Sequence, residues 1–430
     1  MVEEKERINV VTMGCAKNLV DSEVLLGQLK LGNATVVDSV EDADTVVINT
    51  CGFIEAAKQE SIDAILEAIQ RKQDGTLKKV VVMGCLAQRF KSELQKEIPE
   101  VDSFFGSAQL ADVLASLGVD YRRELLGERF ITTPSHFAYL KISEGCDHPC
   151  SFCAIPLMRG LHKSKPAELI LAEARSLAQK GVKELIVIAQ DSTYYGLDLY
   201  GERRLASLLR DLSSVEGLEW IRLMYAYPAK FPLDIIEVYR TSPKLCRYMD
   251  IPLQHAADNV LKSMRRGITN RALRELLGTI RREVPGIALR TTMIVGYPNE
   301  TEEDFQTLRE FVQEMEFERL GVFTYSQEDG TTADELGDPI PQELKEERRN
   351  IIMEIQRDIS LRRNESLIGS EVRVLIDRLE DGRAIGRTEW DAPEIDHEVF
   401  VHAQHRLRAG SFVAATVSDA TEYDLYAEAT

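Results

Sequence analysis

The chain reads as an α/β protein in three parts: an N-terminal open parallel-sheet α/β domain over 1–130, a central partial, TIM-like (βα)6 barrel over 131–363, and a small C-terminal antiparallel β-barrel over 364–430. Three observations predict this. Near the N-terminus, β-branched runs alternate with helical patterns, which argues a parallel sheet with helices on both faces. In the middle a strand–helix unit recurs, as in barrels whose sites lie at the strand carboxyl ends. The last segment crowds short strands between Gly-containing turns, a density that fits a small β-barrel.

In the first part, Ile8–Thr12 reads as a strand, followed by Gly14-Cys15 and a helix from about Ser22. Thr45–Asn49 is followed by Cys51-Gly52 and a helix through Ile69, and Lys79–Met83 by Gly84-Cys85 and a helix from Leu86. The middle strands are Phe137–Ser143, Glu184–Gln190, Trp220–Tyr225, Tyr248–Leu253, Ile287–Val295 and Leu320–Tyr325. Helices are expected over Pro166–Lys180, Ala257–Arg265, Asn270–Val284 and Thr301–Met315, with Pro166 well suited to a helix start. Pro341–Asn364 reads as a charged helical connector. The last strands are Val372–Ile376, Arg383–Arg387, Val399–Val401, Phe412–Ser418 and Leu425–Ala427.

At 430 residues the chain can bury an ample core without disulfides. Its first residues are charged and carry no signal-peptide pattern, and no apolar run approaches membrane-spanning length. The expectation is a cytoplasmic protein with no membrane association, where the seven cysteines stay reduced and serve as metal ligands. The net charge of −19 argues against a nucleic-acid binder, tRNA included, and suits a basic protein partner. From Asn364 onward there are six arginines, no lysine and fourteen carboxylates, so the small barrel is poorly suited to grip RNA phosphates.

Cys146, Cys150 and Cys153 lie in one loop with C-x-x-x-C-x-x-C spacing. No fourth cysteine stands near to close a tetrahedral zinc site, and Pro149 restrains His148, the one other candidate ligand there. Three thiolates this close suit a 4Fe–4S cubane whose fourth iron stays open. Cys15, Cys51 and Cys85 are distant in sequence, yet each falls just past a strand end and before a helix. That is the ligand-binding edge of an open α/β sheet, and a helix N-terminus favours thiolate. They read as a second metal site. Cys246 fits neither group and reads as a non-ligand in a helix-to-strand turn.

The Cys146–Cys153 loop resembles the signature of radical S-adenosyl-L-methionine (SAM) enzymes, with Phe152 at the aromatic position before the third cysteine. Over essentially the whole chain the three-part layout is similar to the methylthiotransferase family of that superfamily. Thr12-Met13-Gly14-Cys15, Asn49-Thr50-Cys51-Gly52 and Met83-Gly84-Cys85 match the stretches that hold its auxiliary cluster, and its last domain is called TRAM. Gly14–Glu23, Asn49–Ile54 and Lys141–His148 resemble the branch that modifies an aspartate in protein twelve of the small ribosomal subunit. The resemblance implies two 4Fe–4S clusters and two SAM per methylthio group inserted at the aspartate β-carbon. It also implies a basic ribosomal protein substrate, free or in the ribosome, and an electron donor such as flavodoxin or ferredoxin. Cys146, Cys150 and Cys153 would be catalytic, and Phe152, Gln190, Gln254, Arg290 and Gly296 would contact SAM. The alternatives are a tRNA adenosine C2 methylthiotransferase and a non-catalytic iron–sulfur or zinc protein that binds ribosomes.

Overall fold

A computed structural model describes residues 6–32, 34–122 and 128–430; the charged start over residues 1–5 lies outside the described residues. Five parallel strands, β1 (Arg7–Thr12), β2 (Thr35–Val36), β3 (Thr45–Thr50), β4 (Lys79–Gly84) and β5 (Ser103–Gly106), form a sheet in the order β2-β1-β3-β4-β5. All six residues of β3 are buried, as expected for a central strand covered on both faces. The edge strands β2 and β5 were not predicted, because two and four residues are too few to show a β-branched run. The first helix spans Ala16–Leu31 and starts at Ala16 rather than near Ser22. Its first turn is polar and reads as loop, but Lys17 and Asn18 are buried and partnered. Lys17 sits 3.1 Å from the Tyr225 ring centroid, and Asn18 donates to the Met13 and Thr50 carbonyls.

The central strands are β6 (Phe137–Lys141), β9 (Glu184–Ile188), β10 (Trp220–Leu223), β11 (Leu245–Asp250), β12 (Ala288–Val295) and β13 (Arg319–Thr324). They pair in parallel in the order β13-β12-β11-β10-β9-β6, an open barrel. A small hairpin of β7 (Ser143–Glu144) and β8 (Lys163–Ser164) frames the three-cysteine loop. β11 starts at Leu245, ahead of the predicted Tyr248, so Cys246 lies within a strand and not in a turn; it is buried inside the barrel beside Trp220 and Tyr248. Two further helices of the repeating strand–helix units, Leu205–Ser213 and Asp234–Thr241, complete the outer layer. The expected connector is a helix over Gln342–Glu365 that packs on the barrel rather than bridging past it. Ile352 and Ile359 join the main core, and Gln356 donates to the Phe317 carbonyl over 2.8 Å. These inward positions recur at helical spacing among the charges that dominate the segment.

The last five strands, β14 (Glu371–Glu380), β15 (Arg383–Arg387), β16 (Val399–His402), β17 (Phe412–Ala420) and β18 (Leu425–Ala429), close a barrel in the order β14-β15-β16-β18-β17. The pairing is antiparallel except between β16 and β18, which run parallel because β17 intervenes in the chain. This barrel plugs the floor of the central one: Leu375 and Ala392 pack in one cluster with Phe137, Tyr139 and Trp220. Val20, from the helix that follows Cys15, enters the same cluster. All three parts therefore meet around the barrel interior. No helix among the described residues is long and apolar enough to cross a membrane.

Candidate functional site

The three dispersed cysteines converge at the carboxyl edge of the first sheet. Cys15 caps the helix Ala16–Leu31, Cys51 follows β3, and Cys85 opens the helix Cys85–Glu97. Gly14 makes the approach possible. Its φ is +85°, and a Cβ there would lie 2.6 Å from Cys51 Cβ, so only glycine lets these loops close on each other. Burial pushes the Cys85 thiol up to about 12, the Arg159 guanidinium opposes that rise, and Cys15 and Cys51 add to it. Burial likewise raises Cys51, with Cys15 contributing. The three sulfurs thus share one field.

The second triad sits at the carboxyl end of β6. Ser151 fixes the loop from within: its hydroxyl donates to the Ser263 carbonyl over 2.8 Å, lies 2.9 Å from the Tyr297 hydroxyl, and its carbonyl accepts from Ala333 N over 2.7 Å. Arg266 Nη1 donates to Cys150 Sγ over 3.3 Å, and the Tyr227 hydroxyl lies 3.7 Å from the same sulfur. His148 stacks on Tyr227 with centroids 3.6 Å apart, and its Nε2 is 2.6 Å from Asp191 Oδ2. His148 is thus turned to tyrosine and carboxylate. Burial pushes Cys146 and Cys153 each up to about 12.

Both triads offer thiols with arginine N–H groups beside a sulfur, a donor set that fits anionic iron–sulfur clusters. Among the described residues no group of three or more His, Cys, Asp or Glu side chains could hold a single metal ion. A cubane asks for something else, because each cysteine binds a different iron corner.

Arg159 joins the two triads. It ends the short helix Ile155–Arg159 that leaves the Cys146–Cys153 loop, yet its Nε donates to Cys85 Sγ over 3.1 Å. Its other nitrogens reach Asn18, Asp21 over 2.6 Å and Glu144 over 3.3 Å. Burial opposes ionisation of Glu144, but Lys141 at 2.6 Å and Arg159 override it and hold that carboxyl down to about 2. Lys141 also pairs with Asp21. A second bridge ties the N-terminal part to the loop after β13: Arg89 meets Glu328 at 2.8 Å and the Asp329 carbonyl at 2.6 Å.

The other five predicted residues are scattered around this centre. Phe152 packs with Val260, Tyr297 and Tyr325 below the loop. Gln190 donates to Glu144 over 2.6 Å and leaves its buried Oε1 without a partner. Gln254 has a φ of +78° and likewise a buried Oε1 without a partner. Those two oxygens can accept hydrogen bonds from a polar ligand. Gly296 answers to a packing demand as well: a Cβ there would lie 2.3 Å from Lys345 Cγ, so this chain's own lysine occupies the side a larger residue would need. Arg290 is paired with Asp250 at 3.0 Å and with Asp396 of the small barrel at 3.4 Å. Sequence reasoning missed Asn18, Tyr227 and Arg266 and gave Arg159 no partner.

The fold and the paired triads define the class, a radical SAM barrel flanked by a cysteine-bearing sheet domain and a TRAM barrel. Family profiles match accordingly: the uncharacterized protein family UPF0004 over residues 7–106, the radical SAM superfamily over 140–312 and the TRAM domain over 368–430. The ribosomal protein uS12 methylthiotransferase RimO of Christiangramia forsetii is 56% identical, covering 99% of this chain and 94% of that protein. Its namesakes in Chloroherpeton thalassium and Bacteroides thetaiotaomicron are 54% and 50% identical, each over 99% of this chain and 99% and 98% of their own. The chain belongs to the family of ribosomal protein uS12 methylthiotransferases. Among solved structures, the radical SAM methyltransferase TsrM of Kitasatospora setae shares the fold at a TM-score of 0.55 and 14% identity, covering 77% of each chain. The cobalamin-dependent radical enzyme OxsB does so at 0.54 and 13%, covering 82% of this chain and 56% of its own.

Proposed function

We propose that this enzyme inserts a methylthio group at the β-carbon of an aspartate in ribosomal protein uS12, using two SAM and two 4Fe–4S clusters. The observation that carries the reading is the reach of Arg159 from one cysteine loop to a sulfur of the other triad. Arg159 ends the helix that follows the Cys146–Cys153 loop and bonds Cys85, which supports two triads working side by side. When bound there, the clusters supply an electron that splits one SAM into methionine and a 5′-deoxyadenosyl radical, and a site for the sulfur that the other SAM methylates.

The residues have distinct parts in this. Cys146, Cys150 and Cys153 hold the catalytic cluster, with Arg266 donating to Cys150. Cys15, Cys51 and Cys85 hold the auxiliary one. Phe152, Gln190, Gln254, Arg290 and Gly296 are proposed to border SAM, Gly296 through its backbone alone because Lys345 occupies the side a Cβ would take. The free oxygens of Gln190 and Gln254 favour those two as direct contacts, whereas Arg290 already shares its charge with two carboxylates. Lys141, Glu144, Asp21 and Arg159 form a partly buried charged bridge between the helix after Cys15 and the Cys146–Cys153 loop. The division at 1–130, 131–363 and 364–430 is proposed on the same grounds, and the grouping of strands into a five-stranded sheet, a six-stranded sheet and a closed barrel supports it. The substrate is proposed to be the free protein or the assembled subunit, and the donor a flavodoxin or ferredoxin.

The test is anaerobic turnover with SAM, reductant and either the isolated small-subunit protein, intact subunits or tRNA. Mass spectrometry is expected to find one SCH₃ in place of one hydrogen on a single uS12 peptide. Methylthio-adenosine in tRNA with unmodified uS12 would overturn the reading.

A further inference from the structure

An electron must reach the cluster at Cys146, Cys150 and Cys153 if the reading above holds, and the structure leaves few directions open. The inner side of the loop is packed on Met264, Tyr297 and Ala333 through Ser151. On the far side Arg159 and Arg89 tie the neighbourhood to the N-terminal part. The tip is different. Asp147 and Pro149 are exposed, and together with His148 they wall a surface cleft of about 650 Å³.

That cleft carries positive charge on a protein of net charge −19. Arg203, Lys230 and Arg265 line it from three different loops, and Arg266 forms its wall. Among the described residues Asp147 is the one carboxylate lining it, and its Oδ1 already accepts from His162 N over 2.8 Å. Lys230 and Arg265 adopt φ values of +54° and +56°, a conformation that residues with side chains rarely hold. The wall leads straight to the loop. Arg266 and Tyr227 line the cleft and also approach Cys150 Sγ, at 3.3 and 3.7 Å.

We propose that this cleft is the docking surface for an acidic one-electron carrier protein, an inference that rests on the radical SAM reading. The carrier gives up one electron and is itself oxidised by one. That electron is consumed in breaking the sulfur–C5′ bond of SAM, which leaves methionine and the 5′-deoxyadenosyl radical, and no proton moves. Charge complementarity selects the partner: cations on the rim of an otherwise acidic protein steer an acidic face to this spot and disfavour a basic one.

The experiment uses the full-length holoenzyme and the variant Arg203→Glu/Lys230→Glu/Arg265→Glu, with the matching triple glutamine variant as a milder control. Reduced flavodoxin and dithionite are compared as electron sources, and flavodoxin affinity is measured by calorimetry at low and high salt. The expectation is unchanged dithionite-driven SAM cleavage, with flavodoxin affinity and flavodoxin-driven reduction each down by about tenfold or more and a flattened salt dependence. The glutamine variant should fall between. Wild-type flavodoxin affinity and reduction rate in the charge-reversed variant would overturn the docking surface while leaving the radical SAM reading intact. So would a variant that keeps flavodoxin but loses affinity for ribosomal RNA, which would make the cleft a phosphate site. Failure of dithionite to support SAM cleavage in the wild type would overturn both.

Discussion

Arg159 Nε lies 3.1 Å from Cys85 Sγ, although the two residues come from different parts of the fold. Arg159 is buried, and Asp21, Glu144 and Asn18 hold the rest of its guanidinium. A hydrogen bond to a metal-bound thiolate steadies the negative charge on sulfur, and such partners tune the metal they do not touch. Arg159→Gln keeps a polar side chain but removes the charge and the fork. Methylthio product should fall about 10- to 100-fold, the range for losing an outer-shell partner. Cleavage of SAM to 5′-deoxyadenosine should continue, since the Cys146–Cys153 loop keeps its own supports. The ratio of the two products, with a redox titration of the auxiliary cluster, checks this; equal loss of both would show that Arg159 only holds the fold.

Single cysteine substitutions separate the two triads. Cys15→Ala removes one proposed auxiliary ligand and leaves Arg266 and Tyr227 around Cys150 untouched. It is expected to retain SAM cleavage and abolish methylthio insertion, whereas Cys150→Ala should abolish both. Full product from Cys15→Ala, read by peptide mass spectrometry, would contradict the two-site assignment.

Gly14→Ala tests the geometry without touching a ligand. The new methyl would lie 2.6 Å from Cys51 Cβ and 2.8 Å from its sulfur, and the backbone there has a φ of +85°. The Cys15 and Cys51 loops must then part. Iron should drop from about eight to about four per chain, as one cubane is lost and the other kept. Circular dichroism should stay near wild type, because Gly14 lies outside the sheet itself.

The sequence made the repeating units and both triads legible for a physical reason. Buried parallel strands such as β3 are continuous apolar runs, and thiols placed just past them need no tertiary knowledge to stand out. The helix start at Ala16 was illegible because Lys17 and Asn18 look solvated until Tyr225 and the Thr50 carbonyl, both far along the chain, are brought to them. The packing demand for glycine at 296 was hidden for the same kind of reason: the atom that imposes it belongs to Lys345, in a helix that the charge pattern had marked as a connector. The links that unite the site, Arg159 with Cys85 and Arg266 with Cys150, are pairings between distant segments, which no local pattern encodes.

Glu184 couples the central barrel to the small one and should make that coupling pH-dependent. It is fully buried between Arg222 at 2.7 Å and Arg387 at 2.9 Å, and Arg387 also meets Asp377 at 2.7 Å. Burial disfavours its ionised form, but Arg387 and Arg222 override this and hold its carboxyl below the ordinary value. A folded-state pKa below the unfolded value of about 4.3 stabilises the fold fully above that pH, and the stabilisation is lost as pH falls through the folded pKa. Glu184→Gln leaves two buried guanidiniums short of a charge, and removing one partner of a buried ion pair costs about 3–5 kcal/mol. The variant should therefore be markedly less stable than wild type in denaturant melts at pH 7. The gap should close as both proteins are acidified below about pH 4, because protonation makes the wild-type carboxyl as neutral as the amide. A gap that stays constant from pH 7 to pH 3 would mean that Glu184 contributes by shape and hydrogen bonding rather than by charge.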